Sequence, residues 1–385
     1  MGVASRADIA RRTGLSRSTV STLVSDLQRD GLIVDREGPT DAVPRGGRPP
    51  VLIALGREAG VAVGIDFGKR HLAVAVGDLS HAILAETRRE MPDDYDASRG
   101  LDEAEELARE VLEDAQVAPD EVLGVGLGVP GPVHLATGTV GSSAILPGWV
   151  GARVAEEMSD RLQLPVHVDN DANLGALAEL HWGAGRGRSS LAYVKIATGI
   201  GGGLVLRGRL FRGAGGTAGE IGHTTIDEAG PICRCGSRGC LESFAATPAI
   251  VELLRPSLGP DLTAELVIQR AREGDLGARR AIGDAGRHIG SALANLCNLF
   301  NPELIVVGGT LAAAGEILME PMREAVTRRA IPSAAEDVEI VPGVLGERAE
   351  MLGAVALVIY EREGAASAYS PSSGRGIAVH TRQEV

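Results

Sequence analysis

The sequence predicts an α/β protein of two or three domains, led by a small helix-turn-helix head. Three observations carry this reading. The chain has 385 residues, more than one ordinary domain holds. Beyond residue 60, apolar strands run repeatedly into glycine or an acid, with helical stretches behind them. Fifty-two Gly against four Phe and two Trp imply many tight turns and close backbone approaches, as in nucleotide-handling α/β proteins.

Composition excludes several classes. Hydrophobic residues at 44% and charged residues at 23% rule out a disordered or collagen-like chain. No uninterrupted apolar run approaches the ~18–20 residues of a membrane span, and the first residues lack the apolar core of a signal peptide. Four Cys in so long a chain are too few for a disulfide framework, so a cytoplasmic protein with no membrane partner is expected. The net charge of −13 is unevenly spread: residues 1–50 hold eight Arg against six acids, a net +2, leaving −15 for the remainder. A basic head on an acidic body is the pattern that results.

In the head, Ser5 with Asp8 three residues later reads as a capping box, and Gly14 as the stop of a short helix. Ser16 can cap a second helix in which Val20, Leu23, Val24 and Leu27 form one buried stripe. Its other face presents Arg17, Ser18, Ser21, Thr22, Ser25 and Gln28, short polar groups beside a cation that suit the major groove of DNA. Leu32 to Val34 and the turn at Asp35 to Gly38 read as a wing. Arg45 and Arg48, in the Pro/Gly-rich stretch that follows, are candidates for minor-groove or phosphate contacts. Only Met1 to Ala4 precede the first helix, where winged heads usually carry another. The expectation is that the natural start lies upstream. A helical hairpin for protein contacts is the alternative for this segment.

In the body, Val61 to Gly68 is an apolar strand that ends on Asp66 and Gly68, and Leu72 to Gly77 is its hairpin partner. An acid and a glycine at such a junction can hold a metal–phosphate group near the backbone, or simply shape the turn. Gly124 to Pro132 is a strand running into a Gly-Pro turn. Val166 to Asn173 places a strand before the cluster Asp169-Asn170-Asp171, with a helix through Leu177 and Leu180 behind it. Asp171 there can deprotonate a hydroxyl that Asn170 orients; helix capping is the plain alternative. Ala197 to Gly203, after the strand Leu191–Ile196, can cradle phosphate through Thr198, Gly199, Gly201 and Gly202. Leu304 to Gly309 is a buried strand whose Gly308 and Gly309 suit a nucleotide crossing a sheet edge, or an ordinary turn.

The sharpest signal is a metal set. Cys233, Cys235 and Cys240 follow His223 by ten to seventeen residues in a Gly- and Arg-rich loop. Three thiolates and one imidazole make a closed tetrahedral set, the arrangement of a structural zinc ion. Cys297, in an apolar helix, reads as core.

Together these segments resemble the ROK family (repressors, open reading frames and sugar kinases), in its transcription-regulator branch, from the head to about Tyr360. The most specific parts are Gly219-Glu220-Ile221-Gly222-His223 and the run from Cys233 to Glu242. The resemblance implies an actin-like ATPase (ribonuclease H-like) fold of two α/β lobes behind a winged helix-turn-helix, with nucleotide and sugar in the cleft. The expected divisions are a head over 1–50, lobes over 58–165 and 166–362, and a disordered tail over 363–385. It makes Asp171 the catalytic base if the protein is active. It makes Asn170, Asp171, Glu220, His223 and Glu242 sugar contacts, with His223 also a zinc ligand. Asp66 and Gly68 match the first phosphate loop, and Thr198 to Gly202 the second.

Two departures bear on activity. The family's kinases follow Asp-x-Gly with Gly-Thr, where this chain has Lys69-Arg70, two long cations expected to crowd a phosphate. The family's sugar-binding Asn before Leu-Pro-Gly-Trp is Ile145, which forfeits a hydroxyl contact. The expected function is therefore a transcription regulator, a repressor in the leading reading, that binds operator DNA as a homodimer or higher oligomer and responds to a sugar or sugar derivative. The alternative is an active ATP-dependent sugar kinase with an appended head, which would also need ATP and Mg2+.

Overall fold

The computed structural model describes residues 3–36, 51–56, 59–93, 95–134, 137–141 and 145–368. The head contains β1 (Val3–Ser5), α1 (Arg6–Thr13), α2 (Arg17–Arg29), β2 (Ile33–Arg36) and β3 (Leu52–Leu55). Its helix boundaries follow from local chemistry. The Ser5 hydroxyl accepts from the Asp8 N–H while the Asp8 carboxylate accepts from the Ser5 N–H, and Gly14 closes α1 in the left-handed region at φ 72°. The Ser16 hydroxyl accepts from the Thr19 N–H to open α2.

The strands form an antiparallel sheet in the order β1–β3–β2. The head therefore runs on to Leu55 rather than ending at 50, because β3 supplies the central strand. Asp35 and Arg36, expected in a turn, extend β2 and pair with Ile53 and Leu52. Only Val20 and Val24 of the expected four-residue stripe are buried, against Ile33, Ile53, Ile9 and Ala10. Leu23 and Leu27 are 47% and 39% exposed, since α1 and the small sheet cover a strip of α2 only two residues wide. Arg45 and Arg48 lie outside the described residues.

The first lobe is built from β4 (Val61–Phe67), β5 (His71–Asp78), β6 (Ile83–Glu90), α3 (Ala97–Asp114), β7 (Val122–Val129), β8 (Val133–His134), β9 (Thr139–Val140), α4 (Val154–Leu162) and β10 (Val166–Asn170). Its five-stranded sheet has the order β10–β7–β4–β5–β6. The chain crosses over in α5 (Asp171–His181). The second lobe holds β11 (Leu191–Ile196), β12 (Ile200–Leu206), β13 (Arg209–Leu210), α6 (Glu242–Ala245), α7 (Thr247–Leu258), α8 (Ala264–Arg272), α9 (Leu276–Phe300), β14 (Leu304–Gly308), α10 (Glu316–Arg329), α11 (Pro332–Asp337) and β15 (Glu339–Pro342). Its sheet has the order β13–β12–β11–β14–β15. The final helix is α12 (Ala349–Ala368).

The two sheets share one plan. Each starts with a three-strand antiparallel meander, β4–β5–β6 or β11–β12–β13. Each then adds two parallel strands beside the first, β7 and β10 or β14 and β15. A lobe boundary at 166 is therefore displaced: β10 pairs with β7 throughout, from Val166 with Val125 to Asn170 with Val129, and belongs to the first sheet. Likewise α12 returns to lie on β4, β5 and β7, while α5 lies on β11 and β12 and against α12. These two helices form the apolar layer between the sheets. Gly353 permits their contact, since a Cβ there would lie 1.9 Å from the Leu174 carbonyl oxygen. Residues 363–368, expected to be disordered, continue α12, as a segment with Glu363 and three Ala allows. The rest of the expected tail lies outside the described residues. Cys297 is fully buried in the second lobe's core. No helix among the described residues is long and apolar enough to cross a membrane.

Candidate functional site

The cleft is built where strand ends of both sheets meet the starts of α5 and α12. On the first lobe, Asp66 is 1% exposed near the end of β4 and is bonded to His71 Nε2 at 2.9 Å. Burial alone would raise its pKa, but the His71 bond and the charges of His71, Lys195 and Arg88 hold it below the usual carboxylate value. His71 folds over Gly68: a Cβ on Gly68 would lie 2.0 Å from the imidazole. The Gly68 carbonyl accepts from the Tyr95 hydroxyl at 2.7 Å, and Tyr95 packs edge-on to Trp149.

This corrects the expectation for Arg70. Arg70 turns outward to an exposed ion pair with Asp93, so the side chain that occupies the first turn is His71.

On the other side of the cleft, Asp171 opens α5. Its Oδ2 accepts from Lys195 Nζ at 2.9 Å and its Oδ1 from the Ala172 N–H at 2.9 Å. Lys195 also reaches Glu350 Oε1 at 3.2 Å, as does the Tyr193 hydroxyl at 3.2 Å. Burial would depress the Lys195 ammonium, but the charges of Asp171, Glu350 and Asp66 override it and raise its pKa well above the ordinary lysine value. Burial pushes Glu350 above the carboxylate range; Lys195 opposes this, and Asp66 and Asp171 add to it. Two acids thus hold one ammonium. Asn170 performs the capping role: its side-chain oxygen accepts from the Ala172 N–H and its amide donates to the Gly131 carbonyl, both at 2.9 Å.

Glu220, His223 and Glu242 come together beside this group. His223 lies 3.9 Å from each of the two carboxylates, through Nε2 to Glu220 and Nδ1 to Glu242. Burial raises Glu220 above the usual carboxylate value, with His223 working against it. Glu242 is 6% exposed and accepts two bonds from Arg234, at 2.7 and 2.5 Å. Gly199 sits against Arg234, Glu242 and Ile145, and a Cβ there would approach all three. Ile145 thus does line the region, as an apolar wall.

The second glycine loop is shorter than expected. Gly201 and Gly202 belong to β12, paired with Lys195 and Val194, and the Gly202 N–H is spent on the Gly219 carbonyl at 2.8 Å. Only Ala197, Thr198 and Gly199 form the turn. Glycine-rich sequence reads as loop, but here the absent side chains let β12 pass closely over α5. Gly308 makes room for Tyr193 and Gly309 for the Ile196 backbone.

His223, Cys233, Cys235 and Cys240 have ligand atoms all within 4.8 Å of one another. Cys233 Sγ lies 3.6 Å from His223 Nδ1, and Cys235 Sγ 3.7 Å from Cys240 Sγ. A tetrahedral ion with metal–sulfur bonds of about 2.3 Å has edges of roughly 3.6–3.8 Å. The donor set fits such an ion.

In the head, Arg17, Ser18, Ser21, Thr22 and Ser25 are all exposed on α2. Ser25 and Thr22 bond back to the carbonyls of Ser21 and Ser18. Gln28 is tied to Arg6 and Asp35 and leaves that face.

Sequence reasoning missed His71, Glu350, Tyr95 and Arg234 as parts of the cleft. Lys195 carried a readable signal, being one of two lysines in the chain and the cation in an otherwise apolar strand.

A winged head on a two-lobed body with an acid-lined cleft and a Cys/His loop defines a class, the transcription regulators built on a sugar-kinase scaffold. Residues 62–361 match the ROK family and residues 2–42 the MarR family. The chain belongs to the ROK family. It is 32% identical over 370 residues to the xylose repressor of Caldicellulosiruptor bescii, covering 93% of this chain and 92% of that one. It is 34% identical to the glucokinase of Thermotoga maritima, covering 78% and 98%. A crystal structure of a ROK family transcriptional regulator, a homolog of the E. coli MLC protein, superposes with TM-score 0.75 at 28% identity, covering 93% and 92%. The match to regulators extends through the head, and the match to the kinase stops at the body.

The metal–nucleotide group used by kinases of this fold does not fit the cleft residues as they stand. Asp66 is bonded to His71, Asp171 to Lys195, and the Gly202 N–H to backbone.

Proposed function

We propose that the protein is a sugar-responsive repressor that reads operator DNA with α2 and holds its effector in the interlobe cleft. The observation that carries this reading is the pairing of an exposed polar helix with a cleft whose Asp66 is already bonded to His71 and whose Asp171 is already bonded to Lys195. Arg17, Ser18, Ser21, Thr22 and Ser25 enter the major groove, and a two-fold dimer places two heads on two half-sites. Asn170, Asp171, Glu220, His223 and Glu242 surround the sugar, with Ile145 as an apolar wall. The first relatives make xylose the first sugar to try. His223, Cys233, Cys235 and Cys240 hold a zinc ion, whose chemistry is structural: it fixes the loop so that Glu220 and Glu242 face the cleft. The sugar acts by favouring one arrangement of the lobes, which alters the spacing of the heads.

The test is binding to DNA selected from a random pool by the full-length, zinc-replete protein. Binding should be steeply salt-dependent and weakened by one sugar of a panel of pentoses, hexoses and N-acetylhexosamines. Arg17→Ala should reduce affinity and lower the salt slope by about 1. Absence of any DNA selection, together with sugar-dependent ATP turnover that Asp171→Ala abolishes, would move the chain to the kinase class.

A further inference from the structure

Lys195 has a counterpart further along α12. Lys195 joins Asp171 to Glu350, in the first turn of α12, at 2.9 and 3.2 Å. Arg212, just past β13, joins Asp169 to Glu361 of the same helix, at 2.6 and 2.8 Å. Both cations come from the second lobe, and both acid pairs combine one residue of the β10–α5 junction with one of α12. Asn170 thus lies between two carboxylates that are each tied to the other lobe.

The Arg212 tie reaches both halves of the cleft. Asp169 is 2% exposed, and its Oδ1 accepts from the Asn170 N–H at 2.8 Å and from the Asn173 amide at 2.7 Å. Its Oδ2 accepts from Arg212 Nε. The guanidinium carbon lies 5.6 Å from the centre of the Tyr360 ring, so α12 holds the fork on a second side. The backbone of Arg212 serves the other half: its carbonyl accepts from the Ala218 N–H at 3.1 Å, closing the turn that leads into Gly219 and Glu220. The Gly219 carbonyl then accepts from the Gly202 N–H at 2.8 Å. Burying an ion pair returns little net stability, because desolvation offsets the attraction. What the planar fork adds is direction, since two of its donors fix two acids relative to one another.

We propose that Arg212 is a positioning residue of the effector site, setting Asn170 and Asp171 of the first lobe, through Asp169, against Glu220 and His223 of the second. This role rests on the sugar site proposed above, and the experiment separates the two.

Amide hydrogen exchange is followed by mass spectrometry in zinc-replete full-length protein, wild type and Arg212→Met, with and without each sugar of the panel, D-xylose first. Without sugar, Arg212→Met should exchange roughly tenfold faster over residues 166–173 and 213–223, as loss of a bond to a buried carboxylate implies, while β14 and β15 keep their wild-type rates. The sugar that protects wild type should bind Arg212→Met about tenfold more weakly by calorimetry. Arg212→Lys, which keeps a charge for Asp169, should recover part of that affinity. Wild-type exchange in both segments overturns the proposal. So does acceleration spread evenly over both lobes, which marks a side chain that only supports the fold. Unchanged sugar affinity in a variant whose two segments exchange faster overturns it too. If no sugar protects wild type, the effector reading fails, while the sugar-free exchange rates still decide the role of Arg212. Should Arg212→Met fail to fold, Arg212→Met with Asp169→Asn replaces it, since the buried charge of Asp169 is then gone. Faster exchange over 213–223 in that protein supports the proposal, and a wild-type rate there rejects it.

Discussion

The two lobes share a strand order, yet they solve the problem of a charged strand end in different ways. In the first lobe, Asp66 is held locally, by a hydrogen bond to His71 from the next strand of the same hairpin. In the second, Lys195 is neutralised by Asp171 and Glu350, which open the helices between the sheets. A defect in the first arrangement stays within one hairpin, whereas a defect in the second loosens the joint between lobes. The second lobe also carries the Cys/His loop, between β13 and α6, and among the described residues the first lobe holds no such set.

The largest effect is expected from that loop. Cys240 is fully buried, and Cys240→Ser should reduce bound zinc from stoichiometric to near zero by metal analysis. It should lower the melting temperature and free the neighbourhood of Glu220 and Glu242, because the binding energy of a structural metal is folding energy. The lobe without the loop should keep its hydrogen-exchange protection. Loss of protection in both lobes alike would mean that the loop supports the whole body.

Next is the joint itself. Lys195→Met, in metal-free buffer, leaves Asp171 and Glu350 without their cation and should cost about 3–5 kcal/mol in chemical denaturation, as removing one partner of a buried ion pair does. The comparison predicts that His71→Ala costs less, since it removes one bond within a single hairpin, whereas Lys195 serves two carboxylates on two helices. Equal costs would show that the two strand ends are defended alike.

These pairings explain what was legible in the sequence. Strand Leu191–Ile196, the capping box at Ser5 and the Cys/His set rest on local spacing, and local spacing is visible in a single chain. The run Gly199–Gly203 was misleading because glycine serves both loops and strands that pass close to a helix, and only the pairing of Gly201 with Lys195 separates the two uses. Leu23 and Leu27 fitted a helical stripe by period, but period does not tell how wide a neighbour covers it. Glu350 carried no signal: it follows no motif, and only the return of α12 to the first sheet brings it to Lys195. Arg70 reads as a cation in the phosphate turn, whereas His71, one residue further, is the side chain that faces inward.

A pH series sharpens the contrast between histidines held by partners and those that are merely buried. His81, in the β5–β6 turn, and His181, at the end of α5, stack with ring centroids 4.6 Å apart, and His81 Nε2 is buried without a hydrogen-bond partner. Burial lowers their pKa values from 6.5 to about 4 and about 3, respectively. Between pH 6.5 and about 4 the unfolded chain therefore binds protons that the native one refuses, so stability falls as pH falls through this window. His81 accounts for up to roughly 3 kcal/mol of that loss. Its left-handed backbone, at φ 66°, is one that Asn tolerates, so His81→Asn should flatten the pH dependence of denaturation without unfolding the turn. An unchanged slope would assign the acid sensitivity to other groups.

The smallest effect tests the first lobe's hairpin alone. A Cβ on Gly68 would lie 2.0 Å from His71 Cε1 and 2.3 Å from its Nδ1, so Gly68→Ala must push the imidazole off Asp66. The cost should be about 1–3 kcal/mol, the range for overpacking with loss of one bond to a buried carboxylate. In a His71→Ala background the three nearest obstacles are gone and the same substitution should cost less, giving a favourable coupling energy between the two positions. Additive costs would mean that His71 does not lie over Gly68, and Asp66 would then have to find its counter-charge across the cleft, at Lys195, as the acids of the second lobe's joint do.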